Sequence, residues 1–353
     1  MAGHTSVGHT PRWHYVVTSA PESWEMALGD IQRADLSARI IESLAPGLFV
    51  VQSEFSPARL GDALWAQGVF VRHVFPILET VDCCSYDKAA IIQAATCLGR
   101  VLDPTKTVSV QTRVMPGVGM TPYDLNTPVA EALTDRGFAI DVKHPDQAVS
   151  ILCGPSKAYV GASSVKDNLS DWAGGARRFA HDPQSVSRAE FKLLEAVELF
   201  SIALPKAGRA LDLGAAPGGW THILSDRGLQ VVAVDPARLD DRVSEIGLVT
   251  HIRATVQVYL SRHVTGPEFD LIVNDMKMDA GLSARMLGEC ARLMKPDGAS
   301  IMTLKLKAKH PHKQIKGAVQ ILSRHYRVVG LRQLFHNRRE VTVYLRRRSL
   351  ERS

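Results

Sequence analysis

Three aspartates stand where apolar strands run out into loops, and a run of small residues follows the first of them. Asp212 lies in the strand "RALDLG", which continues as Gly214, Ala215, Ala216, Pro217, Gly218, Gly219 and Trp220. Asp235 closes the next strand, 23 residues after Asp212, and Asp275 ends a later one in "VNDM". Glycines at 214, 218 and 219 let backbone approach a ligand with no Cβ in the way. An acid at the end of the second strand can accept both hydroxyls of a ribose. Lys305, Lys307 and Lys309 sit at the end of another apolar strand, where an amine can hold an anion or handle a proton.

The glycine spacing narrows the ligand. A dinucleotide fingerprint reads G-x-G-x-x-G. Here it is G-x-x-x-G-G, a poor pyrophosphate cradle, which disfavours a nicotinamide oxidoreductase. Asp212 ahead of the loop also suits a cationic ligand better than a phosphate-rich one. S-adenosylmethionine carries both an ammonium and a sulfonium, and it is the expected cofactor. The competing structural reading is that the glycines only make a tight turn from strand to helix.

These residues need a sheet to bring them to one end. After "RAEFKLLEAVELF", an amphipathic helix, strands and helices alternate: "RALDLG", "QVVAVD", "LVTHIR", "FDLIVND" and "ASIMTLKL" are strands. Such alternation predicts an α/β fold, a mostly parallel Rossmann-like sheet with helices on both faces. "VVGLRQLF" and "EVTVYLRR" are joined by a short link, so they form an antiparallel hairpin at one edge. Ahead of this lies an α+β region. "TPYDLNTPVAEALTDRGF" reads there as a helix opened by Thr127 and Pro128, and "IDVKHPDQAVSILC" as a strand. The expected divisions are a loose tail over 1–12, a ferredoxin-like region over 13–100, a second unit over 101–165, a polar linker over 166–187, a catalytic domain over 188–348 and a basic tail over 349–353.

With 353 residues the chain exceeds one average core. No apolar run approaches the roughly 18 residues of a membrane helix. The start has no apolar segment of the signal-peptide kind, so a cytoplasmic protein is expected, with no membrane partner. Five cysteines, Cys83, Cys84, Cys97, Cys153 and Cys290, show no CxxC spacing, and no metal site is expected from them or from "HPH" at 310–312. The net charge of +6 is uneven: the last fifty residues hold fourteen Lys or Arg against Glu340 and Glu351. A basic end on an acidic body suggests a face for a polyanion.

"DLGAAPGGWT", with Asp235 and Asp275 in register, resembles the FtsJ-like ribose 2′-O-methyltransferases over roughly residues 185–347. The N-terminal "SVQTRV…TPVAEALTDRGFAIDVKHPDQAVSILC…AYVG" looks like a THUMP domain, an RNA-binding module. That pairing, with the ending "LFHNRREVTVYLRR", most resembles the RlmM-type methyltransferases of large-subunit ribosomal RNA. The resemblance implies methyl transfer from S-adenosylmethionine to a ribose hydroxyl of RNA, a cytidine of the 23S-type molecule. It implies RNA as the partner, with no DNA and no obligatory protein partner. It also implies a Lys-Asp-Lys-Glu set, matched here by Lys192, Asp275, Lys305 and Glu340. In that set Lys305 is the proton acceptor or steering residue, and Asp275 orients it and lines the methionine part of the cofactor. Lys192 and Glu340 hold the ribose.

Alternation puts Lys307 on the same face as Lys305, and only the "LKL" match selects Lys305. Glu340 has Arg338 and Arg339 as alternative partners. Thr255 stands where such enzymes often carry an acid for the adenine amino group, and Ala189 where RlmM-type enzymes carry a cofactor-binding serine. Two other functions compete: amino-group methylation of a base, which needs an N-P-P-Y loop where this chain has "NDMKMD", and a non-catalytic RNA-binding assembly factor. Another rRNA or tRNA position is a further alternative for the substrate.

Overall fold

A strand that is apolar on both faces must be covered on both sides, and the second half of the chain supplies the covers in order. The computed structural model describes residues 12–82, 87–180, 183–262 and 266–348. Cys83, Cys84, the tail up to residue 11, residues 181–182 of the expected linker and the basic tail 349–353 lie outside the described residues. The chain divides into two units between Arg177 and Arg178, inside the segment expected as a linker.

The first unit carries two four-stranded sheets. One comprises β1 (Trp13–Thr18), β2 (Arg39–Ala45), β3 (Leu48–Ser53) and β4 (His73–Pro76), in the order β2-β3-β1-β4, with helices α1 (Trp24–Ala34) and α2 (Pro57–Gln67). The other comprises β5 (Glu79–Asp82), β6 (Val108–Val114), β7 (Gln147–Cys153) and β8 (Lys157–Ser164), in the order β5-β8-β7-β6, with helices α3 (Lys88–Cys97) and α4 (Tyr123–Thr134).

Three expectations are corrected here. The boundary expected near residue 100 falls earlier. β5 pairs antiparallel with β8, and Ile91 and Ala95 of α3 share a core with Val149 and Ile151 of β7. A four-residue strand, "ETVD", leaves too little pattern to be read alone. Helix α4 begins a turn before Thr127. The Asp124 carboxylate accepts the Thr121 N–H (2.6 Å) and hydroxyl (2.8 Å), fixing the start there and leaving Pro128 inside the helix. The segment before β7 is a turn rather than strand: Asp141 Oδ1 accepts the N–H groups of Lys143 (2.7 Å) and His144 (2.9 Å).

The second unit is built on a seven-stranded sheet. In chain order its elements are α5 (Ala189–Leu199), β9 (Gly208–Leu213), α6 (Gly219–Asp226), β10 (Leu229–Val234), α7 (Asp241–Ser244), β11 (Val249–Ile252) and α8 (Val256–Arg262). Then come β12 (Phe269–Asn274), α9 (Ala280–Cys290), β13 (Met294–Lys305), α10 (Pro311–Leu322), β14 (Tyr326–Arg332) and β15 (Glu340–Arg347). The sheet order is β11-β10-β9-β12-β13-β15-β14. The first five strands are parallel, and β15 runs antiparallel between β13 and β14. The fold is the expected Rossmann-like one, with the hairpin at one edge and its second strand turned inward.

Helix α5 lies on this sheet through Leu193 and Ala196, which pack with Trp220 and Leu224 of α6 against Ala210, Leu271 and Ile301. Spacing of three residues puts Leu193 and Ala196 on one helix face. Leu193 is fully buried, and truncating it to alanine would cost about 2–5 kcal/mol. That packing holds Lys192, one residue away, over the sheet's carboxyl end.

Candidate active site

The turn after β9 is held shut against the turn after β12. Asp275 donates its N–H to the Leu213 carbonyl (3.2 Å), and Met276 donates to Asn274 Oδ1 (3.0 Å). Asn274 is itself buried and donates to Ser283 Oγ (3.0 Å). Gly214 has φ +78°, and a Cβ there would lie 2.7 Å from Met276 Cγ. Gly218 has φ +119°, and its Cβ would meet both γ-carbons of Val243 at 3.0 Å. A Cβ at Gly214 or Gly218 would therefore strike the protein itself, so both positions require glycine for packing, whatever the loop holds.

The remaining loop residues divide by environment. Ala215 is buried, the Ala216 N–H donates to Asp235 Oδ2 (3.2 Å), and the Pro217 carbonyl accepts from Asp240 N (2.8 Å). Trp220 is a core side chain whose indole N–H donates to the Ala189 carbonyl (2.7 Å). Thr255 is exposed, and its hydroxyl oxygen accepts the Val258 N–H (3.3 Å) at the start of α8, so the helix start already uses that acceptor.

Asp212, Asp235 and Asp275 surround this loop with carboxyl groups. Asp212 is fully buried and accepts from the Thr221 hydroxyl (2.7 Å). Burial pushes its carboxyl up to about 7. The Thr221 bond opposes the rise, and the charges of Asp275 and Asp235 add to it. Asp235 Oδ1 accepts the Ala237 N–H (2.8 Å) and the carboxylate remains half-exposed. Asp235 and the partly ionised Asp212 suit a ligand bearing an ammonium and a sulfonium better than a phosphate. The residues present therefore fit S-adenosylmethionine, with Asp235 available to a ribose.

Beside the loop, four charged side chains close a ring. Lys305 Nζ donates to Asp275 Oδ1 (2.5 Å) and to Glu340 Oε2. Lys192 Nζ meets the other oxygen of each acid, Glu340 Oε1 at 2.6 Å and Asp275 Oδ2 at 3.4 Å. The side chains are only 8–22% exposed. Charges that far from water persist when each is paired, and here each has two partners. Burial alone would lower the Lys192 ammonium, but Asp275 and Glu340 more than reverse that and raise it. Lys192 is therefore held as an ammonium between the two carboxylates.

The structure brings all four members of the expected set together. Lys307, the alternative to Lys305, is exposed and pairs with Asp279 (3.0 Å). Glu340 turns to the lysines rather than to Arg338 or Arg339. Thr303 was missed. Its hydroxyl donates to Asp275 Oδ1 (2.5 Å) and accepts from Lys305 Nζ (2.8 Å). The period-two spacing of Thr303 and Lys305 on one strand face was the available signal.

Glu190 was also missed. It is buried, and accepts from the Val186 N–H (2.6 Å) and the Ser185 hydroxyl (2.9 Å). That holds Ser187 against the loop, where a Cβ on Gly219 would lie 2.3 Å from Ser187 Oγ.

A cleft of about 810 Å³ opens over the ring. Its wall combines Lys192, Asp275, Lys305 and Glu340 with Phe191, Phe335, His336 and the cations Arg188, Lys277, Arg338 and Arg339. Among the described residues no group of three or more His, Cys, Asp or Glu is arranged to hold a metal ion. Nor is any helix among them long and apolar enough to cross a membrane.

Residues 185–332 match the family described as FtsJ-like methyltransferase. "Ribosomal RNA large subunit methyltransferase M" of Pseudomonas syringae pv. tomato is 29% identical over 234 residues, 62% of this chain and 63% of that protein. The protein of the same name from Azotobacter vinelandii is 28% identical over 295 residues, 80% of this chain and 78% of that one. The one from Cellvibrio japonicus is 31% identical over 236 residues, 62% and 64% respectively. The chain thus spans less than two thirds of the length of the Pseudomonas and Cellvibrio relatives.

Proposed function

We propose that this chain, whose residues 185–332 are an FtsJ-like methyltransferase domain, moves a methyl group from S-adenosylmethionine to a ribose 2′-hydroxyl of RNA. The observation that carries this reading is the closed ring of Lys192, Asp275, Lys305 and Glu340, in which Asp275 adjoins Met276, the residue packed against Gly214. The relatives' name supports large-subunit ribosomal RNA as the substrate. Such a substrate is met in the cytoplasm, with neither DNA, membrane nor an obligatory protein partner in the reaction. The second sheet of the first unit, residues 79–165, acts as a THUMP-like RNA grip.

The cofactor supplies an electrophilic methyl on a positively charged sulfur. A ribose hydroxyl is a weak nucleophile, so the protein must aim its lone pair and manage its proton. Lys305 meets the hydroxyl from the cleft side and steers that proton out of line with the attack. Asp275 and Glu340 hold Lys305 in one position, and Lys192 balances their second oxygens. With the cofactor bound, methyl transfer would free the hydroxyl proton, which Lys305 would guide along its hydrogen bonds to Asp275 and Glu340, the proton-accepting groups of the ring, and from there to water in the cleft.

Tritiated-methyl transfer to total RNA from a strain lacking the protein tests this reading. Label is expected in alkali-resistant linkages, which only a methylated 2′-oxygen gives. Label confined to bases, or no transfer at all, would overturn it.

A further inference from the structure

The cleft above the ring has more on its walls than methyl transfer needs. Phe191 and His336 lie with ring centres 5.2 Å apart, and Phe335 meets His336 edge-on at 5.2 Å. Phe179 stacks on Phe191, at 5.6 Å and 4° between planes, and also meets His336 at 5.6 Å. The loop that carries Phe335 and His336 is tied down. Glu195 of α5, buried, accepts the Phe335 N–H (2.7 Å) and the His336 N–H (2.9 Å). Asn337 Oδ1 accepts from Leu334 N (2.9 Å) and from the Thr342 hydroxyl (3.0 Å). The aromatic wall is therefore as fixed as the helix that presents Lys192.

Charge on the same wall is one-sided. Six cations face two carboxylates, and both carboxylates are already engaged by Lys192 and Lys305. Arg188, Lys277, Arg338 and Arg339 are exposed, and no ion pair engages them among the described residues. Arg338 and Arg339 are adjacent on the loop, and Arg188 opens α5 on the other side. A volume of about 810 Å³ lies within the range of pockets that enclose a small ligand, about 300–1,000 Å³.

We propose that this cleft takes the acceptor nucleotide in an unpaired state, its base against Phe191, Phe335 and His336 and its flanking phosphates on Arg188, Lys277, Arg338 and Arg339. The inference rests on the methyl-transfer reading for the position of the ribose over Lys305. A base joined to a ribose at Lys305 must lie within reach of the rings. In a duplex that base is covered by its stacked neighbours and cannot meet them, whereas an unstacked base can. Aromatic stacking accepts any base face, and arginines hold phosphates without reading sequence. The cleft thus selects for exposure of the nucleotide, and sequence must be chosen elsewhere.

Fluorescence anisotropy on the full chain tests this, using one labelled oligoribonucleotide as a single strand and as a perfect duplex. The single strand is expected to bind at least tenfold more tightly. Phe335→Leu keeps an apolar side chain and removes the ring face. It should weaken the single strand roughly five- to tenfold, leave the duplex unchanged, and raise the KM for RNA more than it lowers kcat. Arg338→Ala with Arg339→Ala, both exposed, should lower the slope of log affinity against log salt by about two. Equal binding of strand and duplex, unchanged binding by Phe335→Leu, or equal displacement of the strand by an acidic polypeptide would each overturn the proposal. Calorimetry with S-adenosylmethionine separates the two readings. If the cofactor does not bind while the strand preference and the Phe335 effect hold, the activity fails and the nucleotide site stands.

Discussion

Lys305 and Glu340 are direct cross-strand partners, the last residue of β13 opposite the first of β15, 35 positions apart in sequence. Glu340 then reaches Lys192 on α5 with its other oxygen (2.6 Å). One carboxylate thereby fixes two amines that lie 113 positions apart in the second unit. The arrangement depends on β15 running antiparallel between β13 and β14, since a parallel neighbour would put Glu340 at the far end of the sheet.

Replacing Lys305 with alanine should cost at least about a hundredfold in kcat, the scale of a lost proton-handling group. S-adenosylmethionine affinity should change little. Single-turnover transfer and calorimetry on the same preparation check both parts, and full activity in the variant would remove Lys305 from the mechanism.

The ring should behave as one unit under mutation. Lys192→Ala and Glu340→Gln share a contact at 2.6 Å, so their effects should not add. Urea unfolding of the two single variants and the double variant should give a coupling of about 0.5–3 kcal/mol. Strict additivity would mean that the pair is not engaged in solution.

Asp212 makes stability fall with rising pH. Its carboxyl titrates at about 7 when folded against 3.8 when free, so the folded chain binds more protons between those values. Stability from this group is therefore lost as pH rises from about 4 to 7, and the penalty is complete above that. Asp212→Asn keeps an acceptor for Thr221 and carries no charge. Its unfolding free energy relative to wild type, measured without cofactor, should improve by roughly 1–4 kcal/mol between pH 4.5 and 8. A pH-independent difference would contradict the raised value.

Gly214→Ala should destabilise the chain by about 2–3 kcal/mol, through positive φ and through the clash with Met276 Cγ. Gly247→Ala, which meets nothing within 4 Å, is the control and should shift stability by less than about 0.5 kcal/mol. Differential scanning calorimetry on both variants distinguishes a packing requirement from a general intolerance of alanine.

RNA binding by the whole chain should weaken steeply with salt, because the last fifty residues carry fourteen Lys or Arg against two Glu. Filter binding between 50 and 200 mM salt checks this. An affinity that hardly changes across that range would rule out phosphate contacts as its main source.

Local pattern determined much of this protein. Alternating strands and helices announced the sheet, Asp212, Asp235 and Asp275 marked its carboxyl end, and the glycine spacing argued against a pyrophosphate. Family resemblance then picked out Lys192, Asp275, Lys305 and Glu340, which spacing alone did not join. Tertiary structure decided what lies opposite what. It set the insertion of β15, the direction of Gly214 toward Met276 and of Gly218 toward Val243, the burial of Trp220 in the core and the union of β5 with β8. It also gathered Phe191, Phe335 and His336 beside the arginines, from segments about 145 residues apart. The physical reason is one of range. Periodicity records which face of an element is buried. Strand order, register and the partners of a buried charge are settled by packing between elements distant in the chain.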